Sequence, residues 1–244
     1  MIVDYFVYFI LTLVLSTIFS IAGLGSAVGL VPSLNMAGLS FDLSRASGLF
    51  VNSVTTVTNS IINLKKKLFD MEFVAPLVVS STIMAFIGAK ISFFVDVELI
   101  KFIFGITLII IASIILFFKR SMSIKIKQNR YLLIFAGSLG GIFSGFLGIG
   151  GGSIISPILL LFGYDAKKIA ISITFVIPFS SIVAFSSYAS VIELDYLLLF
   201  IVGVAAFIGG IIGNYILHFK VSSSMIKKIL AIALYIIAFK MLIL

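Results

Sequence analysis

The chain has 244 residues, of which 61% are hydrophobic and 11% charged, with a mean hydropathy of +1.32. A soluble domain carries about 25% charged residues, so a soluble single domain and an intrinsically disordered chain are both excluded. The net charge of +8 lies in short tracts between apolar runs, at Lys65–Lys67 and Lys119–Arg130. Such tracts orient a membrane protein, whereas a nucleic-acid binder presents one contiguous basic face. With no cysteine and a single histidine, His218, no disulfide or thiolate metal site can form and a catalytic metal centre is not expected.

Apolar segments follow one another over residues 2–34, 47–64, 73–94, 99–118, 131–161, 169–192, 196–219 and 226–244. The first opens with Asp4 and has no Lys or Arg ahead of it, so it reads as a mature membrane segment rather than a signal peptide. Six segments have the length of one helical crossing. The first and fifth are too long: a continuous helix over 2–34 would reach about 50 Å through a core of about 30 Å. Each carries a glycine cluster and then a proline in its second half. These are Gly23, Gly25 and Gly29 before Pro32, and Gly148, Gly150, Gly151 and Gly152 before Pro157. Glycine and proline at that density break helices. Each long segment is therefore expected to be a helix followed by a short half-helix.

The two clusters are 125 residues apart, and the same offset relates Gly38 to Gly163 and Ile87-Gly88 to Ile212-Gly213. The chain reads as a duplication, with repeats over 1–118 and 131–244 joined by a basic linker at 119–130. Charge decides the threading. If each long segment crosses once, the 17 basic residues divide 9 to 8 between the two faces. If each is a hairpin returning to its starting face, they divide 13 to 4, as the positive-inside rule requires. The expectation is an all-α, multi-pass plasma-membrane protein with both termini extracytoplasmic and the 119–130 loop cytoplasmic. Three net crossings per half invert the second repeat relative to the first. Inverted repeats with broken helices are the architecture of secondary transporters.

Chemistry is expected at the breaks. A helix N-terminus inside the bilayer offers unpaired N–H groups and a partial positive charge, and glycine lets an anion approach them. The candidates are Gly23, Gly25, Ser26 and Ala27 in the first break and Gly148, Gly150, Gly151, Gly152 and Ser153 in the second. Asn52, Thr55, Thr56 and Asn59 share one face of the second segment. Polar side chains on such a face need either partners on neighbouring helices or a wet cavity. Ser172, Thr174, Ser180 and Ser181 around Pro178 form a softer counterpart in the sixth. Arg45 and Asp42 read as a solvated loop pair, Lys90 as a residue reaching the outer interface, and His218 as interfacial. No carboxylate lies at mid-span, no nucleophile–base pair exists, and no cofactor is implied.

The runs GLGSAVGLVPSL and GFLGIGGGSIISPILLLFGYDAKKIA resemble the sulfite exporter TauE/SafE family of membrane permeases, and the resemblance covers essentially the whole chain. The second run is the closer match, since the first has Gly25-Ser26-Ala27 where the second has Gly150-Gly151-Gly152. The resemblance implies duplicated halves and transport of a small anion such as sulfite, a sulfonate or an organic anion, with the lipid bilayer and that anion as partners. A non-transporting membrane assembly or lipid-handling partner is the alternative, and it predicts that the polar stripes are dry helix contacts.

Overall fold

The computed structural model describes residues 2–22, 25–65, 70–117, 128–218 and 223–243, and among them every regular element is an α-helix. The helices are α1 (Ile2–Ala22), α2 (Ala27–Met36), α3 (Phe41–Lys65), α4 (Met71–Ser92) and α5 (Val97–Phe117), then α6 (Arg130–Leu147), α7 (Gly152–Leu161), α8 (Ala166–Ala189), α9 (Tyr196–His218) and α10 (Ser223–Ile243). Helix is the form that satisfies every backbone polar group within one segment, which lipid demands. Polar side chains at the segment starts take up the first free N–H groups: Asp70 accepts from Phe73, Asn129 from Tyr131, Asp165 from Lys168 and Asp195 from Leu198.

The element boundaries repeat. α2 and α7 have ten residues each and start 125 residues apart, as do α3 and α8. Gly25 (φ +86°) and Gly150 (φ +74°) match at that offset, and so do Gly38 (φ +103°) and Gly163 (φ +82°). The packing repeats as well: α1 lies on α9 as α6 lies on α4, and α3 lies on α9 as α8 lies on α4. The seams α3–α8 and α5–α10 each join equivalent helices of the two halves. Glycine brings the α4–α6 pair to backbone contact, since a Cβ on Gly88, Gly141 or Gly145 would strike a carbonyl of the facing helix. Small residues play this part between membrane helices.

Each long segment does turn back. The Tyr8 hydroxyl donates to the Ala37 carbonyl (3.4 Å), tying the end of α2 to the start of α1, and Asn129 N donates to the Tyr164 hydroxyl (3.1 Å) beyond α7. Tyr5 bonds Asp195 (2.7 Å) and Ser92 bonds Tyr188 (2.9 Å) at the end of the bundle where α1 begins. Lys168 bonds Asp70 (2.6 Å) at the opposite end, where it also holds the Asp70 carboxyl below the usual carboxylate range.

One expectation of the fold needs correcting. The second segment was expected to begin at residue 47, but α3 starts at Phe41 and takes Asp42 and Arg45 into its first turns. Among the described residues the six helices long and apolar enough to cross a membrane are α1, α4, α5, α6, α8 and α9, so the first arm of each hairpin is itself of spanning length. α3 fails that test because of its polar stripe, although at 25 residues it is the longest of the helices described. Gly23, Lys66, Lys67 and most of the basic linker lie outside the described residues, as does the His218 side chain.

Candidate functional site

The described residues of both breaks, 25–27 and 148–153, are buried. In the first, Gly25 adopts a left-handed conformation, and Ser26 stands at the N-cap of α2 without forming a side-chain cap. In the second, Gly148 closes α6 in the left-handed region with its N–H on the Ser144 carbonyl (2.9 Å). Gly150 repeats the left-handed turn, and Gly151 is the uncapped N-cap of α7. The breaks are sharp because glycine alone enters that region without cost.

The two breaks converge on one side chain. A Cβ at Gly25 would collide with Asn52 Oδ1, and a Cβ at Gly150 would collide with Asn52 Nδ2. Asn52 is fully buried, its Nδ2 donates to Ser181 Oγ (3.0 Å) and its Oδ1 has no protein partner. The hydroxyls of Ser26 and Ser144, one at the first break and one at the end of α6, are also buried without partners. Unpaired buried polar atoms are uncommon; these three stand at or beside the breaks and the α3 face they meet, while others, such as Thr12 and Ser16 of α1, lie elsewhere.

Other residues expected at the site are deployed differently. Ala27 is buried at the start of α2, and the Ser153 hydroxyl folds back onto the Gly150 carbonyl (3.1 Å). Gly148 faces Arg45, Gly151 faces the Gly140 carbonyl of α6 (3.1 Å to a built Cβ), and Gly152 faces Ile173 and Ile177 of α8. These three glycines permit helix approach, whereas Gly25 and Gly150 make room for Asn52. Thr56 bonds back to the Asn52 carbonyl (2.5 Å), and Thr55 reaches the Ala206 carbonyl of α9 (3.4 Å). Asn59 donates to Ser20 (2.8 Å) and accepts from Asn214 (3.1 Å), a closed contact among α1, α3 and α9. In α8, Ser180 and Thr174 bond carbonyls of their own helix and Ser172 is buried, which leaves Ser181 as the one joined to Asn52.

Arg45 is the residue the sequence reading misplaced. Its side chain is 1% exposed and is the one buried ionised side chain among the described residues. The guanidinium lies 5.0 Å from the Phe41 ring and 4.8 Å from the Tyr188 ring. It donates to the Phe146 carbonyl (3.0 Å), two residues before Gly148, and pairs with Asp42, while Nε has no partner. A positive charge is thus packed against the second break from the end of the bundle where α3 begins. Lys90 stays exposed, with its ammonium 5.7 Å from the Phe86 ring. Among the described residues no three His, Asp or Glu side chains come together.

Among the described residues, ten α-helices, six of them apolar spans, with paired breaks buried between them define a polytopic membrane protein. Residues 8–241 match the family Sulfite exporter TauE/SafE, and the chain belongs to that family. A curated relative, described as a probable membrane transporter protein of Methanocaldococcus jannaschii, is 37% identical over 115 residues. That match covers 46% of this chain and 42% of the relative, so it spans less than half of either. No solved structure matches the chain.

Proposed function

We propose that the protein is a permease for a small anion, sulfite or a related sulfonate or organic anion, working by alternating access. In this reading residues 1–118 and 131–244 are inverted repeats joined by the linker 119–130, with that linker cytoplasmic, both termini outside and the plasma membrane as host. The observation that carries the proposal is the convergence of two buried, glycine-broken helix starts on the Asn52 amide. Such starts attract negative charge, and irregular backbone at membrane depth is tolerated where it lines a cavity or is buried in protein. Arg45 adds a positive charge beside the second break. The unpaired Asn52 Oδ1 calls for a donor, and an anion that keeps a hydroxyl, as hydrogensulfite does, offers both an acceptor to the Ser26 hydroxyl and a donor to that oxygen.

Alternating access then needs the breaks to be reached from each face in turn. The hydrogen bonds that cross between the halves, Tyr5–Asp195 and Ser92–Tyr188 at one end and Lys168–Asp70 at the other, are the contacts such a motion exchanges. The non-transporting alternative predicts dry contacts, which Asn59 makes through both amide atoms and Asn52 through Nδ2 alone, its Oδ1 being left without a protein partner.

Ligand-dependent thermal stabilisation of the purified protein tests the assignment. A ligand that binds the folded state raises apparent stability by RT ln(1 + [L]/Kd). Sulfite, sulfate, thiosulfate, taurine and a carboxylate are compared on the native chain and on Asn52→Ala. The expected result is stabilisation by at least one sulfur oxyanion that Asn52→Ala abolishes. Equal stabilisation of both proteins overturns the assignment.

A further inference from the structure

A groove of about 800 Å³ runs along the outer seam between α4 and α6, away from the breaks. Val79 and Ile83 in its wall are 59% and 57% exposed, so it opens towards the lipid. Its mouth carries Glu72, Gln128 and Arg130, at the end of the bundle that also holds the basic linker. From Glu72 to Met84, the ends of its α4 wall, is about 18 Å at ~1.5 Å per residue, slightly more than half of a core of about 30 Å. The groove therefore has the depth of one leaflet, with charge at its mouth and hydrocarbon along its length.

The duplication supplies a control. At the matching seam between α1 and α9, the positions of Ala75, Pro76 and Ser138 carry Phe200, Ile201 and Leu13, and those of Glu72, Gln128 and Arg130 carry Leu197, Val3 and Tyr5. Three small residues and the Glu–Arg pair of this seam are thus replaced on the other, where Ser80 is matched by Ala205, Met84 by Gly209, and the mouth carries the carboxylates Asp4 and Asp195 without a base among the matched positions. Helix packing common to both halves does not require either feature. The mouth also presents one acid and one base, which is the complement of a headgroup bearing both a phosphate and an ammonium.

We infer that the α4–α6 groove is a phospholipid site, with one acyl chain along Val79, Ile83 and Ile134, the phosphate on Arg130 and the ammonium of an ethanolamine headgroup on Glu72. Arg suits phosphate because its planar fork donates two parallel hydrogen bonds. The assignment is independent of which anion is transported. Native mass spectrometry of the full chain with equimolar phosphatidylethanolamine and phosphatidylglycerol tests it. The native protein is expected to retain phosphatidylethanolamine preferentially. Ala75→Phe with Ser138→Leu, which installs the residues of the other seam, is expected to lose the adduct. Glu72→Gln, at an exposed position that leaves folding untouched, should lower the headgroup preference about tenfold, the effect of one charge-assisted contact. Equal retention of the two lipids by the native protein overturns the inference, as does an unchanged preference in Glu72→Gln. A dimer that the groove-filling pair dissociates also overturns it, by assigning the seam to a second copy.

Discussion

Asn52 and Asn59 lie on one face of α3, yet they have different surroundings. Seven residues along a helix is about 10 Å, enough to move from the breaks to the α1–α9 seam. Periodicity made the shared face legible; it carries no information about which helix stands opposite each position. The two are expected to separate by experiment. Asn59→Ala removes two interhelical hydrogen bonds, one to Ser20 and one from Asn214, and should lower stability by about 1–3 kcal/mol at roughly 0.5–1.5 kcal/mol each, while anion binding persists. Asn52→Ala should do the reverse, with melting temperature and titration calorimetry reading the two effects. Ser26→Ala removes a free hydroxyl and should weaken the anion about tenfold, near the 1.4 kcal/mol that factor represents. Gly150→Ala should abolish binding through its collision with Asn52 and the strain of a left-handed alanine, of order 1 kcal/mol. Adding Asn52→Ala to that variant should recover the part of the melting temperature lost to the collision, without the binding. Arg45 was illegible for a related reason: its burial depends on Tyr188, which is far along the chain, and a charge at the edge of an apolar run reads as loop.

At the scale of elements, the breaks were the most legible feature, because glycine and proline act on the backbone they belong to. The chain placed α2 and α7 correctly without reference to any neighbour. The start of α3 was not legible: Asp42, Ser44, Arg45 and Ser47 depress the local hydropathy, and only the packing of the bundle makes a helix there worthwhile. The tie between α4 and α8 offers an element-scale test. The Lys168 ammonium bonds Asp70 and lowers its pKa, so the carboxylate form is favoured in the folded state. The sign follows directly: this stabilisation is complete above the ordinary carboxylate pKa of about 4 and is lost as pH falls through the lowered folded value. Both side chains are more than a third exposed, so the tie itself should contribute no more than about 1 kcal/mol. Asp70→Asn is expected to lower the melting temperature at neutral pH, and to flatten its decline below about pH 4. An unchanged acid limb in that variant would assign the decline to other carboxylates.

For the whole molecule, the testable statement is orientation. Lys65 ends α3, Arg130 begins α6 and Lys168 lies in the first turn of α8, at the end of the bundle that carries the Lys168–Asp70 pair, and in the proposed topology that end is cytoplasmic on the positive-inside rule. A cysteine-free chain allows single cysteines to be introduced without competition. Lys125→Cys should resist an impermeant thiol reagent applied to intact cells, and Lys240→Cys should react; the opposite pattern reverses the orientation. The overall architecture was legible because duplication writes it twice, so that any feature recurring at one offset stands out from chance.

Duplication also has a limit that bears on stoichiometry. The repeat partner of Asn52 is Ile177, an alkyl side chain packed beside Gly152. Two motifs were copied, but the amide that stands between them was not. A protein with two complete half-sites would hold two ions and show interaction between them. Here both breaks close on a single unduplicated group, so saturation is expected at one ion per chain, with a simple hyperbolic isotherm.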